Sequence, residues 1–163
     1  MDAGGLMNGY RMLWTTVVGA TVVCGSGGPA GSEEAQPAHL SVAASSPVAI
    51  GARGETDLIA ATITATQPKG AMLVLATVQL AYTGTPTSKT VEVWIARGSA
   101  TLDPPSAIRV GTAARAVSET PVTLHSWDVA GAGPHTYTVR ARSSDTGVQA
   151  TVRRLTVIEF EGS

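Results

Sequence analysis

The 163-residue sequence is poor in cysteine, in aromatic residues and in charge. Its single cysteine, Cys24, has no second cysteine to pair with, so disulfides within the chain and cysteine-rich metal sites are excluded. Charged residues make up 14% of the chain, against about 25% in an average soluble domain, and the net charge is −1. Disorder driven by high charge is therefore excluded for the chain as a whole, and nucleic acid is not expected as a partner.

The motifs of the common enzyme classes are also missing. The histidines are His39, His125 and His135, and no serine lies in a G-x-S-x-G turn. His125 and Asp128 lie close in sequence, but no third ligand follows at a spacing that suits a metal ion. The carboxylates are scattered, and no glycine-rich loop with a lysine could hold a phosphate. We therefore predict a protein that is not an enzyme and that binds no metal and no cofactor.

Residues 1–38 differ in composition from the rest of the chain. The apolar run Met12–Cys24 is shorter than the roughly 20 residues of a membrane-spanning helix and has the length of a signal-peptide core. A linker rich in Gly, Pro, Ser and Glu follows it. Three interpretations stay open: a cleaved signal peptide that leads to secretion, a lipid anchor on Cys24, or a retained arm that contacts other proteins of a particle.

Residues 39–163 alternate between apolar and polar side chains, which is typical of half-buried β-strands. Breaker residues such as Pro, Gly and Asp separate the alternating stretches. The pattern predicts eight strands, at Leu40–Ala44, Asp57–Ala65, Ala71–Tyr82, Lys89–Arg97, Ala107–Val110, Pro121–Trp127, Thr136–Arg142 and Val148–Phe160. We predict an all-β domain in which two antiparallel sheets form a sandwich of jelly-roll type, after an extended or flexible N-terminal segment.

The last two predicted strands fit a hairpin with its turn at Ser144–Gly147. In that register Val139 lies opposite Val152, and one face is wholly apolar. A β-bulge near Arg153–Arg154 would then bury Leu155 and Val157. The opposite, polar face would carry Arg140, Arg142 and Arg153, which we interpret as a solvated sheet face in preference to an anion-binding patch.

Four side chains are candidates for contact with a partner or ligand. Leu73 and Leu75 lie on the outer side of a strand whose inner row is also apolar, so a second subunit could cover them. Trp94 points away from the inward row of its strand, which leaves a sugar platform, an interface anchor or a ring covered by a loop as alternatives. Trp127 is in phase with Thr123 and His125 near the end of its strand, where it could be a core plug or a contact on the loop side.

Three stretches resemble the small jelly-roll domains of tailed-phage structural proteins, such as head fibres, decoration proteins and tail-fibre knobs. They read LVLATVQLAYTGTPTSKTVEVWIARG, PVTLHSWDVAGAGPHTYTVRARSS and RRLTVIEF, and they lie within Met72–Phe160. The resemblance brings no catalytic residues. It implies an oligomeric β-sandwich, with a trimer as the expected state, that binds or displays at a virion surface.

We therefore predict a homo-oligomeric structural protein on a particle surface such as a phage virion. Its interface would lie near Leu73, Leu75 and Trp94, and residues 1–38 would contact other virion proteins. The alternative is a secreted or lipid-anchored module on the extracellular surface that binds carbohydrate through Trp94 or Trp127.

Overall fold

The computed structural model describes residues 38–52, 54–83, 88–111 and 118–160, and these ranges form an all-β sandwich. Within them no helix is long and apolar enough to cross a membrane. The strands are β1 (His39–Ala44), β2 (Val48–Ala49), β3 (Thr56–Ala65), β4 (Gly70–Tyr82), β5 (Ser88–Arg97), β6 (Ala100–Thr101), β7 (Ser106–Gly111), β8 (Ser118–Ala130), β9 (Gly133–Ser143) and β10 (Val148–Phe160). All eight predicted strands are present, and only the two-residue strands β2 and β6 were missed.

The strands divide into two antiparallel sheets. Sheet A has the order β1-β10-β4-β8, and β2 continues β1 along β10. Sheet B has the order β3-β9-β5, and both β6 and β7 pair with β5. The chain passes from one sheet to the other at six of the nine connections between the described strands, and β1 pairs with β10. This is the strand order of a jelly roll, as the sequence predicts.

The predicted hairpin between β9 and β10 is wrong, because these strands belong to different sheets. Val139 in β9 lies opposite Ile59 and Ile95, whereas Val152 in β10 lies opposite Gln79. The Ser144–Gly147 segment crosses between the sheets, and Gly147 has a φ of 87°, a left-handed conformation that favours glycine. Alternation identifies which side chains face inward, but a sandwich offers inward rows on both sheets.

The core lies between the inward rows of the two sheets. As predicted, the inner rows of β4 and β5 are buried; they comprise Met72, Val74, Ala76, Val78 and Leu80, and Val91, Val93 and Ile95. Leu155 and Val157 are also buried. The bulge in β10 lies between Ala150 and Val152, a few residues before its predicted place. The shifted phase turns Arg153 inward and Arg154 outward.

Two charged side chains are buried among the inward rows. Glu159 in β10 accepts hydrogen bonds of 2.9 Å from the backbone N–H and the hydroxyl of Thr66 and from the backbone N–H of Gln67. These bonds fix the β3–β4 turn against sheet A. Arg153 donates to the carbonyl oxygens of Ser46 and Ala150. Burial lowers the pKa of the Arg153 guanidinium, and its Nε lacks a hydrogen-bond partner in the described part of the chain.

Candidate functional site

The outer face of sheet B is covered by ion pairs. Arg140 Nε lies 2.8 Å from a carboxylate oxygen of Asp57, and Arg142 pairs with Glu92 on the neighbouring strand. Opposite charges on adjacent strands suit a solvated sheet face. The interpretation of Arg140 and Arg142 as part of such a face therefore fits the structure. Arg153 does not belong with them, because it lies in sheet A and points into the core.

Trp94 lies on this outer face of sheet B, but its side chain is only 4% exposed. The Arg142 guanidinium carbon lies 5.9 Å from the centre of the indole ring, in cation–π geometry. Of the three alternatives for Trp94, its burial fits a ring that is covered within its own chain, and Arg142 contributes to that cover. A ligand approaching Trp94 would meet Arg142 first.

The outer face of sheet A is apolar at one end, and this surface is the candidate site. Four of the five large apolar side chains that are exposed in the described part of the chain lie there, and Trp127 is 60% exposed. Leu73 in β4 lies between Trp127 in β8 and Ile158 in β10. We call this surface the apolar patch; its residues are Ala71, Leu73, Leu75, Trp127, Val129, Ile158 and Phe160.

The two aromatic rings of the apolar patch contact each other. The ring centres of Trp127 and Phe160 are 5.5 Å apart and their planes are inclined by 47°. Ala71 lies between Phe160 and Val129 in the sheet, so a small side chain leaves room for the rings to meet. Contact between them fixes part of the patch before any partner binds.

The structure brings together three of the four predicted contact residues. Leu73, Leu75 and Trp127 lie in the apolar patch, whereas Trp94 lies on the opposite side of the sandwich. One flat interface therefore cannot include both Trp94 and the two leucines, because they lie on the outer faces of different sheets. Cys24 lies outside the described residues, as does the rest of the predicted N-terminal segment up to residue 37.

Val129, Ile158 and Phe160 were not singled out from the sequence. Their signal was present, because Val129 continues the outward row of Trp127, and Ile158 and Phe160 continue the outward row of β10. Only the pairing of β4 with both β8 and β10 shows that these rows adjoin. Trp127 is in phase with Thr123 and His125, as predicted, and the structure places all three on the outer face, which the sequence pattern left open.

Beneath the patch, a polar cluster joins the two sheets. The Tyr137 hydroxyl in β9 donates a 2.9 Å hydrogen bond to the Asp128 carboxylate in β8, and Arg97 Nη1 lies 2.7 Å from the same oxygen. Burial, and then the hydrogen bond to Asp128, raise the pKa of Tyr137 far above its usual value. Both partners of the Asp128 carboxylate hold it inside the sandwich, so it is not a ligand group for the patch.

A metal ion would need a cluster of ligating side chains, and a small ligand would need a pocket. The described residues contain no group of three or more His, Cys, Asp or Glu side chains that could hold a metal ion. A cavity of about 270 Å³ is lined by residues 49–52, 83 and 146–149, none of which is charged. That volume is at the lower limit of ligand pockets, which measure roughly 300–1,000 Å³. The apolar patch remains the main surface feature.

No protein-family model and no curated protein matches this sequence. Solved structures with a similar arrangement of strands include the VP2 subviral particle of infectious bursal disease virus (11% identity, TM-score 0.45, covering 80% of this chain and 36% of that one). The T13 particle of the same virus gives 11% identity and a TM-score of 0.47, over 80% and 35% of the two chains. Dimeric latent PorU from Porphyromonas gingivalis gives 8% identity and a TM-score of 0.44, and the match covers 83% of this chain and 14% of PorU.

This chain thus spans about a third of the length of the viral chains and less of PorU. Likenesses this remote concern the arrangement of strands and carry no information on activity or partners.

Proposed function

We propose that this chain is a non-enzymatic structural protein that assembles with copies of itself on the surface of a particle such as a phage virion. The observation that carries the proposal is the apolar patch. Exposed contiguous apolar surface with an aromatic centre is characteristic of protein interfaces, where Trp is enriched among the residues that contribute most to binding. Contact with other particle proteins through residues 1–38 stays a prediction.

The asymmetry of the two outer faces supports an interface on sheet A. Sheet B presents Arg140 and Arg142 already paired with carboxylates, and burying those ion pairs would cost their solvation. The patch presents Leu73, Trp127 and Phe160, whose burial is favourable by about 25 cal/mol per Å² of apolar area. The burial of apolar area therefore favours association through sheet A, whereas the loss of solvation disfavours association through sheet B.

The exposure of Trp127 also supports the second candidate, a carbohydrate-binding module. A sugar that stacks on an indole ring also needs hydrogen-bonding side chains beside it. The neighbours of Trp127 in the sheet are Leu73 and, on the same strand, His125 and Val129, and Asp128 is engaged with Tyr137. Of these neighbours only His125 offers a polar group, so the surface suits an apolar protein partner better.

The test is sedimentation equilibrium of the full chain together with two serine variants. Trp127→Ser removes the centre of the patch, whereas Val152→Ser removes a side chain that is 46% exposed on sheet A outside the patch. We expect the wild type to form an oligomer and Trp127→Ser to raise its dissociation constant at least about tenfold, which corresponds to about 1.4 kcal/mol. Val152→Ser should change it less than about threefold.

A wild-type chain that stays monomeric at about 100 µM would overturn the proposal, since surfaces of this kind form complexes in the micromolar range or tighter. A monomer that binds an oligosaccharide on a glycan array, and loses that binding in Trp127→Ser, would establish the carbohydrate-binding alternative.

A further inference from the structure

Strand β8 lies at the edge of sheet A, and half of its backbone groups point away from the sheet. It pairs with β4 on one side, and no strand in the described part of the chain pairs with its other side. In an antiparallel strand the N–H and C=O groups of alternate residues point to opposite sides. Either the even-numbered or the odd-numbered residues of β8 therefore direct their backbone groups away from β4.

Three observations assign the outward groups to the odd-numbered residues. Pro121 has no N–H, and it is tolerated in the strand where none is needed for the ladder with β4. The carbonyl oxygen of Val129 accepts a hydrogen bond from the side chain of Arg97, which lies in sheet B. Thr83 N donates to the Gly147 carbonyl, which directs the odd residues of β4 toward β10 and its even residues toward the even residues of β8.

Thr123, His125 and Trp127 thus carry the backbone donors and acceptors of this edge that have no partner strand among the described residues. Edge strands are usually protected by proline, lysine or a bulge. In β8, Pro121 protects one end and the Arg97 side chain protects the other. Residues 123–127 between them contain no proline, lysine or arginine, and the ladder with β4 is regular throughout. We call residues 123–127 the open edge.

We propose that two copies of this chain join through the open edge, antiparallel and about a two-fold axis at His125, so that sheet A continues from one copy into the other. This inference rests on the proposed self-association and specifies its geometry. It belongs to the same surface, because Trp127 lies both in the open edge and in the apolar patch. Pairing would place the two patches on the same face of one continuous sheet, on opposite sides of the two-fold axis.

A second copy is the occupant that fits, because the open edge is complementary to itself. With His125 at the axis, Trp127 of each copy lies opposite Thr123 of the other copy on the outer face, and aromatic side chains opposite β-branched ones stabilise sheets. On the inner face, Leu124 would lie opposite Ser126 of the other copy. The open edge carries no carboxylate, lysine or arginine, so two identical strands can approach without repulsion between such groups.

The matched variants are Thr123→Pro and Thr123→Ala. Proline at position 123 removes an N–H that points away from β4 and keeps the internal ladder, as Pro121 already does two residues earlier. We expect Thr123→Pro to raise the dissociation constant at least about tenfold and Thr123→Ala to change it less than about threefold. His125→Lys, which places two ammonium groups at the axis, should also weaken association, and circular dichroism should show that each variant keeps the native fold.

Hydrogen exchange gives a second, direct readout on the wild type. In dilute monomer the amides of Thr123, His125 and Trp127 should exchange rapidly, while those of Leu124 and Ser126 are protected by β4. On association the three odd-numbered amides should become protected as well.

The outcomes separate this inference from the proposed function. A wild-type monomer overturns both. An oligomer that Trp127→Ser weakens but a folded Thr123→Pro leaves intact, or a trimer in native mass spectrometry, overturns the edge pairing and leaves self-association through the patch standing. Failure of the odd-numbered amides to gain protection in the oligomer also overturns the edge pairing.

Discussion

The hydroxyl of Tyr137 in sheet B donates a 2.9 Å hydrogen bond to the carboxylate of Asp128 in sheet A, and this bond links the two sheets across the end of the sandwich. Tyr137 is fully buried, so its hydroxyl depends on this partner. Arg97 balances the charge of the carboxylate. A buried polar contact between the sheets requires one relative position of the two inward rows. Apolar packing alone would tolerate several positions.

Replacing Tyr137 by Phe should lower the free energy of unfolding by about 1–2 kcal/mol, because the hydrogen bond to Asp128 is lost while the ring stays in place. Urea denaturation followed by circular dichroism measures the change. The matched double-mutant cycle adds Asp128→Ala alone and together with Tyr137→Phe. A coupling energy below about 0.3 kcal/mol would mean that the two groups do not act together.

Stability should fall at alkaline pH, and Tyr137 should contribute to the fall. Burial and the hydrogen bond to Asp128 raise the pKa of Tyr137, so the unfolded chain ionises its phenol near pH 10 while the folded chain does not. The contribution of Tyr137 is therefore fully present below about pH 10 and is lost as the pH rises further. The hydrogen bond from Lys89 to Asp145 raises the pKa of Lys89, which acts in the same direction.

Comparison with Tyr137→Phe isolates the phenol, because that variant keeps Lys89. Its free energy of unfolding should decline less steeply between pH 9.5 and 11 than that of the wild type. Parallel curves for the two proteins would contradict the assigned shift.

Replacing Arg153 by Met should raise the free energy of unfolding by about 1 kcal/mol. Arg153 is 2% exposed, its contacts are neutral oxygens of Ser46 and Ala150, and burying a charge without an opposite charge is costly. Methionine fills most of the same space without that cost. The measurement is the urea midpoint of the two proteins, with Arg154→Met, on the exposed side of the same strand, as the control. If Arg153→Met instead lowered the free energy of unfolding by more than about 1 kcal/mol, the hydrogen bonds of Arg153 would outweigh the cost of burying its charge.

Replacing Gly70 by Ala should destabilise the chain by about 1–3 kcal/mol. A Cβ atom there would lie 2.9 Å from Oε1 of Glu159 and 3.2 Å from Cβ of Gln67. The Glu159 side chain could move only by giving up its bonds to Thr66 and Gln67. Gly131→Ala at the same end of the sandwich is the control, since its Cβ would meet nothing closer than 3.8 Å and should cost under about 0.5 kcal/mol. Equal thermal midpoints for the two variants would contradict the fixed position of Glu159.

The strands could be predicted from the sequence because alternation is a local signal. It correctly gives the inward row Val91, Val93 and Ile95. It does not give exposure, because Arg142 on another strand packs over the outward ring of Trp94. It does not give partners either, since β9 and β10 have matching apolar rows and yet lie in different sheets.

The candidate site was predictable in part for the same reason. Leu73 and Leu75 stood out as apolar side chains on the outer row of their strand, and Trp127 stood out as a large aromatic side chain near a strand end. Their grouping with Ile158 and Phe160 depends on a ladder between β4 and β10 that joins residues more than 80 positions apart. Contacts between residues that are far apart in sequence decide whether an outward row is covered or exposed. A local pattern carries no information on such contacts.

The position of β10 has a consequence for how the protein is made. Strand β10 lies between β1 and β4, so the first strand of sheet A has no partner until the last strand has left the ribosome. During synthesis the inward row of β4 can be covered only incompletely, and folding must wait for loops of more than 100 residues to close between β1 and β10. We expect the sandwich to form only after β10 has left the ribosome, and a nascent chain stalled before Val148 to remain open to chaperones and proteases.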